Sequence, residues 1–349
     1  MKAIDLRSDT VTLPTKKMRE AIYHAELGDD VYGEDQSTKR LEEMAAKITG
    51  TEAALLVPSG TMANLTCVLS HCGRGEEVIL GDKSHIFLNE AGGMSALGGV
   101  QAHILANQPG GSLRLEDIES AIRGDNIHFP RTRLICIENT HNRCNGSPLS
   151  PDYSDSVAKL ARDFGLSVHL DGARIFNAAV ALGIDVKELT RGVDSLMFCL
   201  SKGLSAPIGS MICGSKEFIS AALRTRKILG GGMRQTGIIA AAGIVSLEQM
   251  VDRLSEDHIN ARNLAKGITH IPGLSIDIEA VNTNIIYFDL TDDRIQSDEF
   301  VKRCNRKRVM FLPTGPSRFR MVTHYGIEPQ DIDAALAALR EVMEGLYID

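Results

Sequence analysis

Leu166-Ser167-Val168-His169-Leu170-Asp171-Gly172-Ala173-Arg174 and Ser195-Leu196-Met197-Phe198-Cys199-Leu200-Ser201-Lys202 decide how this chain folds. Each is a short apolar run, Leu166 to Leu170 and Ser195 to Leu200, that stops abruptly at polar residues. Strands this apolar are buried on both faces, as in a parallel sheet covered by helices. Four more runs share the form: Ala53 to Val57 before Pro58-Ser59-Gly60, Glu77 to Leu80 before Gly81-Asp82, Leu134 to Ile137 before Glu138-Asn139, and Ser210 to Cys213 before Gly214. Helical segments alternate with them, which is the pattern of an α/β domain. Ligands of such sheets bind at the carboxyl ends of the strands, so the polar residues that close each run are the candidates for chemistry.

Outward from this region, a helical stretch from roughly Gly237 to Lys266 leads to a second pattern of Ser275 to Ile278, Asn284 to Leu290 and Arg320 to Thr323, closed by an amphipathic helix from Pro329 to Leu346. The expected division is residues 1–245 for an N-terminal segment with the large domain and 246–349 for a smaller α+β domain. A chain of 349 residues has room for both. Its 43% hydrophobic and 24% charged residues exclude a disordered or low-complexity chain. The net charge of -7 argues against a nucleic-acid partner, which calls for a basic face. Seven cysteines without a CxxC pair read as reduced thiols. No run has the length of a signal peptide or a membrane span, so no membrane partner and a cytoplasmic location are expected.

Asp171 and Lys202 follow two of the strands and lie 31 residues apart, so adjacent strand ends bring them together. A lysine can hold an aldehyde cofactor as a Schiff base, and an aspartate on a pyridine nitrogen keeps the ring an electron sink. Taken singly they are a solvated cation and a helix cap. Their neighbours add weight: Pro58-Ser59-Gly60-Thr61 sits between a strand and a helix, where free amides and the helix dipole favour a phosphate. His85, past another strand end, suits ring stacking or proton transfer. No spacing of histidine, cysteine or acidic residues matches a metal site, and none is expected.

The blocks LRSDTVTLPT, GDDVYGED, VPSGTMAN, SHIF, NIHFPRT, ICIENTHNRCNG, VHLDGARIFNA, MFCLSKGL, GGGMRQTG and FRMVTHYG together resemble the low-specificity L-threonine aldolases over nearly the whole chain. The resemblance implies an aspartate-aminotransferase-like fold with a mostly parallel seven-stranded sheet, and pyridoxal 5'-phosphate as cofactor. It implies Lys202 as the Schiff-base lysine and Asp171 on the pyridine nitrogen. Ser59, Gly60 and Thr61 would hold the phosphate, with His85 over the ring. Arg174 would face the cofactor and the substrate carboxylate, which Ser8 and Arg320 also grip. Lys227 and Arg234, around the Gly230-Gly231-Gly232 turn, would reach the phosphate of a neighbouring subunit, and Tyr32 would also come from a partner chain. A homo-oligomer follows, at least a dimer and commonly a tetramer. One position departs from the family: Asn89 stands where an aromatic residue, usually tyrosine, is common, which bears on side-chain preference.

The reaction implied is retro-aldol cleavage of threonine, allo-threonine and related β-hydroxy amino acids to glycine and an aldehyde. Clamping the carboxylate selects the Cα–Cβ bond while a base takes the hydroxyl proton. For that base His85 leads, with His128 and an ordered water as alternatives. The rival functions are β-elimination or transamination on the same scaffold, and a cofactor-binding protein without catalysis.

Overall fold

The computed structural model describes residues 3–346. Seven strands form the main sheet. With Ile4–Asp5 counted as β1, they are β2 (Ala53–Val57), β3 (Glu77–Gly81), β4 (Gln101–Leu105), β5 (Thr132–Glu138), β6 (Ser167–Asp171), β7 (Ser195–Cys199) and β8 (Ser210–Gly214), in the order β2-β8-β7-β6-β5-β3-β4. Strands β4, β3, β5, β6 and β7 run parallel, and β8 is antiparallel to both β7 and β2. The reversal has a simple cause. A parallel return needs a crossover of a dozen or more residues, and the link from Cys199 to Ser210 is too short for one.

Six of these strands are the runs read from the sequence, and β3, β7 and β8 are buried at every residue. The seventh, β4, was not among them. It is an edge strand that carries Gln101 and His103 and is half-buried, so it lacks the doubly buried signal. The helix Gly60–His71 starts on a Ser59 cap whose side chain accepts from the Met62 amide, and the helix Ile175–Leu182 stops at Gly183 in the left-handed conformation. All seven cysteines are free and buried. Among the described residues, no helix is long and apolar enough to cross a membrane.

The expected helical stretch after Gly237 is two helices, Gly237–Gln249 and Leu254–Ile268. The first is buried almost all round in the main core, while the second packs into a separate one. The turn between them marks that change of partner. The second core lies under an antiparallel sheet of β9 (Leu274–Ser275), β10 (Ile285–Leu290), β12 (Leu312–Pro313) and β13 (Arg318–Val322), ordered β12-β13-β10-β9, while β11 (Val309–Met310) pairs in parallel with β1. Ile4 and Leu6 therefore pack in the second core, against residues more than two hundred positions away. Its centre is aromatic: the Phe288 ring lies 5.3 Å from Phe319, 5.6 Å from Phe311 and 6.5 Å from Phe300.

Truncating Phe288, which is fully buried, removes the hub of that cluster. Phe288→Ala is expected to lower the unfolding free energy by about 3–5 kcal/mol in urea denaturation; a loss below about 1 kcal/mol would contradict the packing described.

Candidate active site

Four adjacent strand ends supply the site. The chain leaves β3 through Asp82 and Lys83 into the short helix His85–Leu88, β5 ends on Glu138, β6 ends on Asp171, and β7 leads to Lys202. They converge on a cavity of about 670 Å³ that also takes in Ser8, Arg174, Tyr287 and Arg320. The sharp turn after Asp171 needs Gly172, because a Cβ there would lie 2.7 Å from the Met197 carbonyl oxygen.

Asp171 is buried and held by two donors, Asn64 Nδ2 at 2.8 Å and the Ala173 amide at 3.1 Å. The Lys202 carbonyl accepts from Thr12 Oγ1 at 3.1 Å and from the Ser205 amide at 2.9 Å. Its backbone is pinned, while Nζ has no hydrogen bond or ion pair among the described residues. His85 takes its place through its amide, which donates to Glu138 Oε2 at 2.7 Å, and through Nδ1, 2.7 Å from Glu90 Oε1. The bond to Glu90 raises the His85 pKa against the opposing effect of burial, and burial together with Asp171 raises that of Glu90. His85, Glu90 and Asp171 bring metal-ligand atom types within 4.8 Å of one another, yet Asn64 and the His85–Glu90 bond already engage all three.

Arg174 is buried and paired through two parallel bonds, Nε to Asp9 Oδ2 at 2.6 Å and Nη2 to Asp9 Oδ1 at 2.7 Å. Burial alone would raise the Asp9 carboxyl, but Arg174 more than reverses this and holds it well below the usual carboxylate range. Arg320 belongs to β13, where period-two alternation sends Phe319 and Met321 into the core and Arg320 to the cavity. Its Nη1 donates to Asn142 Oδ1 at 2.9 Å and its Nη2 to the Arg7 carbonyl at 3.2 Å, while Nε is buried with no partner. Burial first, and then the nearby Arg174 cation, lower the Arg320 pKa. Two guanidinium groups with one carboxylate between them leave a site for a second anion.

The cavity thus gathers Ser8, His85, Asp171, Arg174, Lys202 and Arg320, and with them Asn89, which accepts from Arg143 Nη2 at 3.4 Å. Ser59, Gly60 and Thr61 lie outside its lining. Their turn is close-fitted all the same, since a Cβ on Gly60 would come within 2.9 Å of Cys199 Sγ. His128 is exposed in the loop after Asn126, whose side chain accepts from its amide. Tyr32, Lys227 and Arg234 are also exposed and away from the cavity. Arg234 pairs with Asp29 at 3.1 Å, and the same Asp29 accepts from the amides of Val31 and Tyr32.

Sequence reasoning passed over Asp9, Asn64, Glu90 and Glu138 as site residues. Glu138 was within reach, being the polar residue that ends β5. It accepts from the Asn142 amide at 2.9 Å as well as from His85. Asp9 follows Ser8 directly, but its partner is 165 positions away. Asn64, inside a helix, carries no local signal.

Comparisons with known proteins agree on one kinship. Residues 5–291 match the beta-eliminating lyase family. The low-specificity L-threonine aldolase 1 of Arabidopsis thaliana is 46% identical over 347 residues, covering 98% of this chain and 97% of the relative. The low specificity L-threonine aldolase of Escherichia coli strain K12 is 42% identical over 338 residues, covering 97% and 98%. The solved threonine aldolase of Leishmania major superposes with a TM-score of 0.83 at 18% identity, over 97% of this chain and 99% of that one.

Two outcomes test the geometry. Asp9→Ala strands a buried guanidinium and is expected to cost about 3–5 kcal/mol in chemical denaturation; a neutral effect would mean Arg174 is not dependent on it. NMR titration should place the His85 pKa above the ordinary 6.5, with Glu90→Gln bringing it down. Because the folded-state value is raised, the stability that His85 contributes is complete below about 6.5, the unfolded value, and is lost as pH rises through the folded value.

Proposed function

The chain belongs to the low-specificity L-threonine aldolase family, and we propose on that premise that its cavity cleaves L-threonine and related β-hydroxy amino acids, L-allo-threonine among them, to glycine and an aldehyde. The enzyme is a carbon–carbon lyase. The observation that carries the reading is the meeting, in one cavity, of the unpaired Lys202 amine, the buried Asp171 carboxylate and the adjacent Arg174 and Arg320.

These residues fit pyridoxal 5'-phosphate. Asp171, a buried carboxylate fixed in place by two donors, suits a protonated ring nitrogen, and the Lys202 amine is free to bond the aldehyde. Gly60 and Thr61, in the first turn of the helix Gly60–His71, have backbone amides without intrahelical partners, the usual seat of a phosphate. Bound there, the cofactor supplies an electron-poor ring that takes up the electron pair released when the Cα–Cβ bond breaks.

The rest of the work falls to this chain. A substrate carboxylate placed between Arg174 and Arg320, with the Ser8 hydroxyl beside it, relieves the repulsion of the two cations and fixes rotation about Cα. His85 is the histidine that lines the cavity, so its Nε2 takes the β-hydroxyl proton as the aldehyde departs. Glu90 stabilises the resulting imidazolium through Nδ1. His128, exposed on its loop, reaches the hydroxyl only if that loop folds inward or serves another copy of the chain.

The active enzyme is located in the cytoplasm and works as a homo-oligomer, at least a dimer, with a tetramer as its full assembly. Supporting this are the open phosphate turn and the single exposed patch that joins Tyr32 to Arg234 through Asp29, with Lys227 nearby. From this patch one copy completes the phosphate end of another's site.

Purified protein is expected to release acetaldehyde from L-threonine. Pyruvate from serine, or amino transfer to a keto acid, as the main activity would sink the reading. Borohydride should fix the cofactor on Lys202, and Lys202→Ala should lose both the adduct and at least about a thousandfold in kcat. Arg320→Ala is expected to raise KM about tenfold or more, and Arg320→Lys should recover little because the bond pair to the carboxylate needs a planar fork.

A further inference from the structure

Behind Asp171 the main sheet carries a chain of polar side chains that the reaction described above does not use. Asn64 is buried in the helix Gly60–His71 and donates through Nδ2 to Asp171 Oδ2 at 2.8 Å and to Glu90 Oε1 at 2.8 Å. On its other side Oδ1 lies 3.0 Å from His169 Nε2. His169 Nδ1 lies 2.9 Å from Ser195 Oγ, which is in turn 2.8 Å from His71 Nε2. His71 ends the helix, stacked on Phe218 with ring centroids 4.7 Å apart, and lines a cleft at the opposite edge of the sheet from Lys202.

We propose that His71, Ser195 and His169 form a one-way hydrogen-bond relay that holds Asn64 as a double donor to Asp171 and Glu90, which makes all three positioning residues for the cofactor acid. The proposal rests on the reading that Asp171 meets the ring nitrogen.

Donor and acceptor chemistry fixes every direction in the chain. Two carboxylates can be faced only by the NH₂ end of Asn64, so Oδ1 must accept from His169. An acceptor at that point requires the hydrogen on His169 Nε2. A neutral imidazole has one N–H, so Nδ1 accepts the Ser195 hydroxyl hydrogen, and the Ser195 oxygen accepts from His71 Nε2. Burial pushes both histidines down to about 4, which keeps them neutral. The charged and titratable groups facing them are Asp171 and His71 for His169, and Asp194 for His71. Reversal of any one bond would turn the Asn64 carbonyl toward two anions.

The consequence reaches the site. All the bond dipoles point their positive ends at Asp171 and Glu90, and bonds in such a chain polarise one another. Asp171 and Glu90 are like charges held close together, and the shared Asn64 amide is the group that lies between them. If Asn64 loses its fixed orientation, Asp171 loses one of its two donors and the ring nitrogen a firmly placed partner.

Long-range ¹H–¹⁵N spectra of histidine-labelled protein without cofactor should show His71 and His169 as neutral Nε2–H tautomers from about pH 6 to pH 8. In fluorescence titrations with pyridoxal 5'-phosphate, His169→Leu should weaken binding about tenfold, the effect of one lost buried hydrogen bond. His169→Gln, whose amide nitrogen can take the place of Nε2, should restore most of it. Ser195→Ala changes little volume and keeps the test alive if the leucine variant does not fold; it should weaken binding by about threefold or more. An Nδ1–H tautomer at His169, or unchanged affinity in these variants, overturns the relay. Failure of the wild type to bind the cofactor would overturn the reading of Asp171 and Lys202 instead, and the tautomers remain measurable in either case.

Discussion

The pairing of Asp9 with Arg174 is the contact on which the arrangement of this molecule turns. An arginine buried at the end of a sheet requires an anion, and the adjacent Asp171 is engaged instead with Asn64 and the Ala173 amide. The carboxylate comes from the N-terminal segment, whose Ile4 and Leu6 are anchored in the other core. Asn284, next to β10, also reaches Asp9, with Nδ2 at 3.5 Å from Oδ2. One carboxylate therefore ties the main sheet's end, the N-terminal segment and the four-stranded sheet at a single point beside the cavity. The bidentate geometry adds orientation to charge, and Arg174 lines the cavity together with Arg320.

Around that point the charges form a balanced set. Glu138 spends its two oxygens on backbone amides of His85 and Asn142, and Asn142 in turn holds Arg320 while its carbonyl accepts from the Tyr287 hydroxyl at 2.9 Å. A single strand-end carboxylate thus sets both the candidate base and the candidate carboxylate clamp, across the two sheets. Glu90 and Asn64 do the same for His85 and Asp171. Among the cations that line the cavity are the Lys202 amine, which has no ion pair among the described residues, and the Arg174–Arg320 pair, which a bound aldehyde and a bound carboxylate would satisfy.

Much of this was legible in the sequence, for a physical reason. Strands buried on both faces must be apolar, so β2, β3, β5, β6, β7 and β8 announce themselves, and the rule that ligands sit at strand ends picks out Asp171 and Lys202. The half-exposed β4 gave no such signal, and neither did the short helix Ser297–Arg306 or the two-residue strands of the small domain. Pairing is the harder thing to read. Arg174 was expected to face substrate and cofactor, but nothing local reveals that most of its fork is already committed to Asp9. Likewise His169 reads as part of an apolar strand, and its role emerges only when Asn64 and Ser195 meet it across the sheet. Tyr32, Lys227, Arg234 and His128 are recognisable from their motifs, yet all four are exposed and outside the cavity lining.

The cavity has two kinds of wall, and the contrast bears on substrate range. At one end Asp9, Asp171, Arg174 and Glu138 are buried and interlocked by bonds of 2.6 to 3.1 Å. At the other, Leu88, Asn89, Arg143, Leu312 and Thr314 are exposed, and the contact between Asn89 and Arg143 is long at 3.4 Å. Differences of a methyl group are discriminated only by walls that cannot yield. Under the proposed reading, a rigid end would recognise what all α-amino acids share and an open end would meet the side chains that differ, so the bond to be broken would be fixed while the departing aldehyde was loosely specified. Asn89 sharpens that asymmetry, because an amide in place of an aromatic ring removes a flat wall and puts in its place a polar group that solvent can reach.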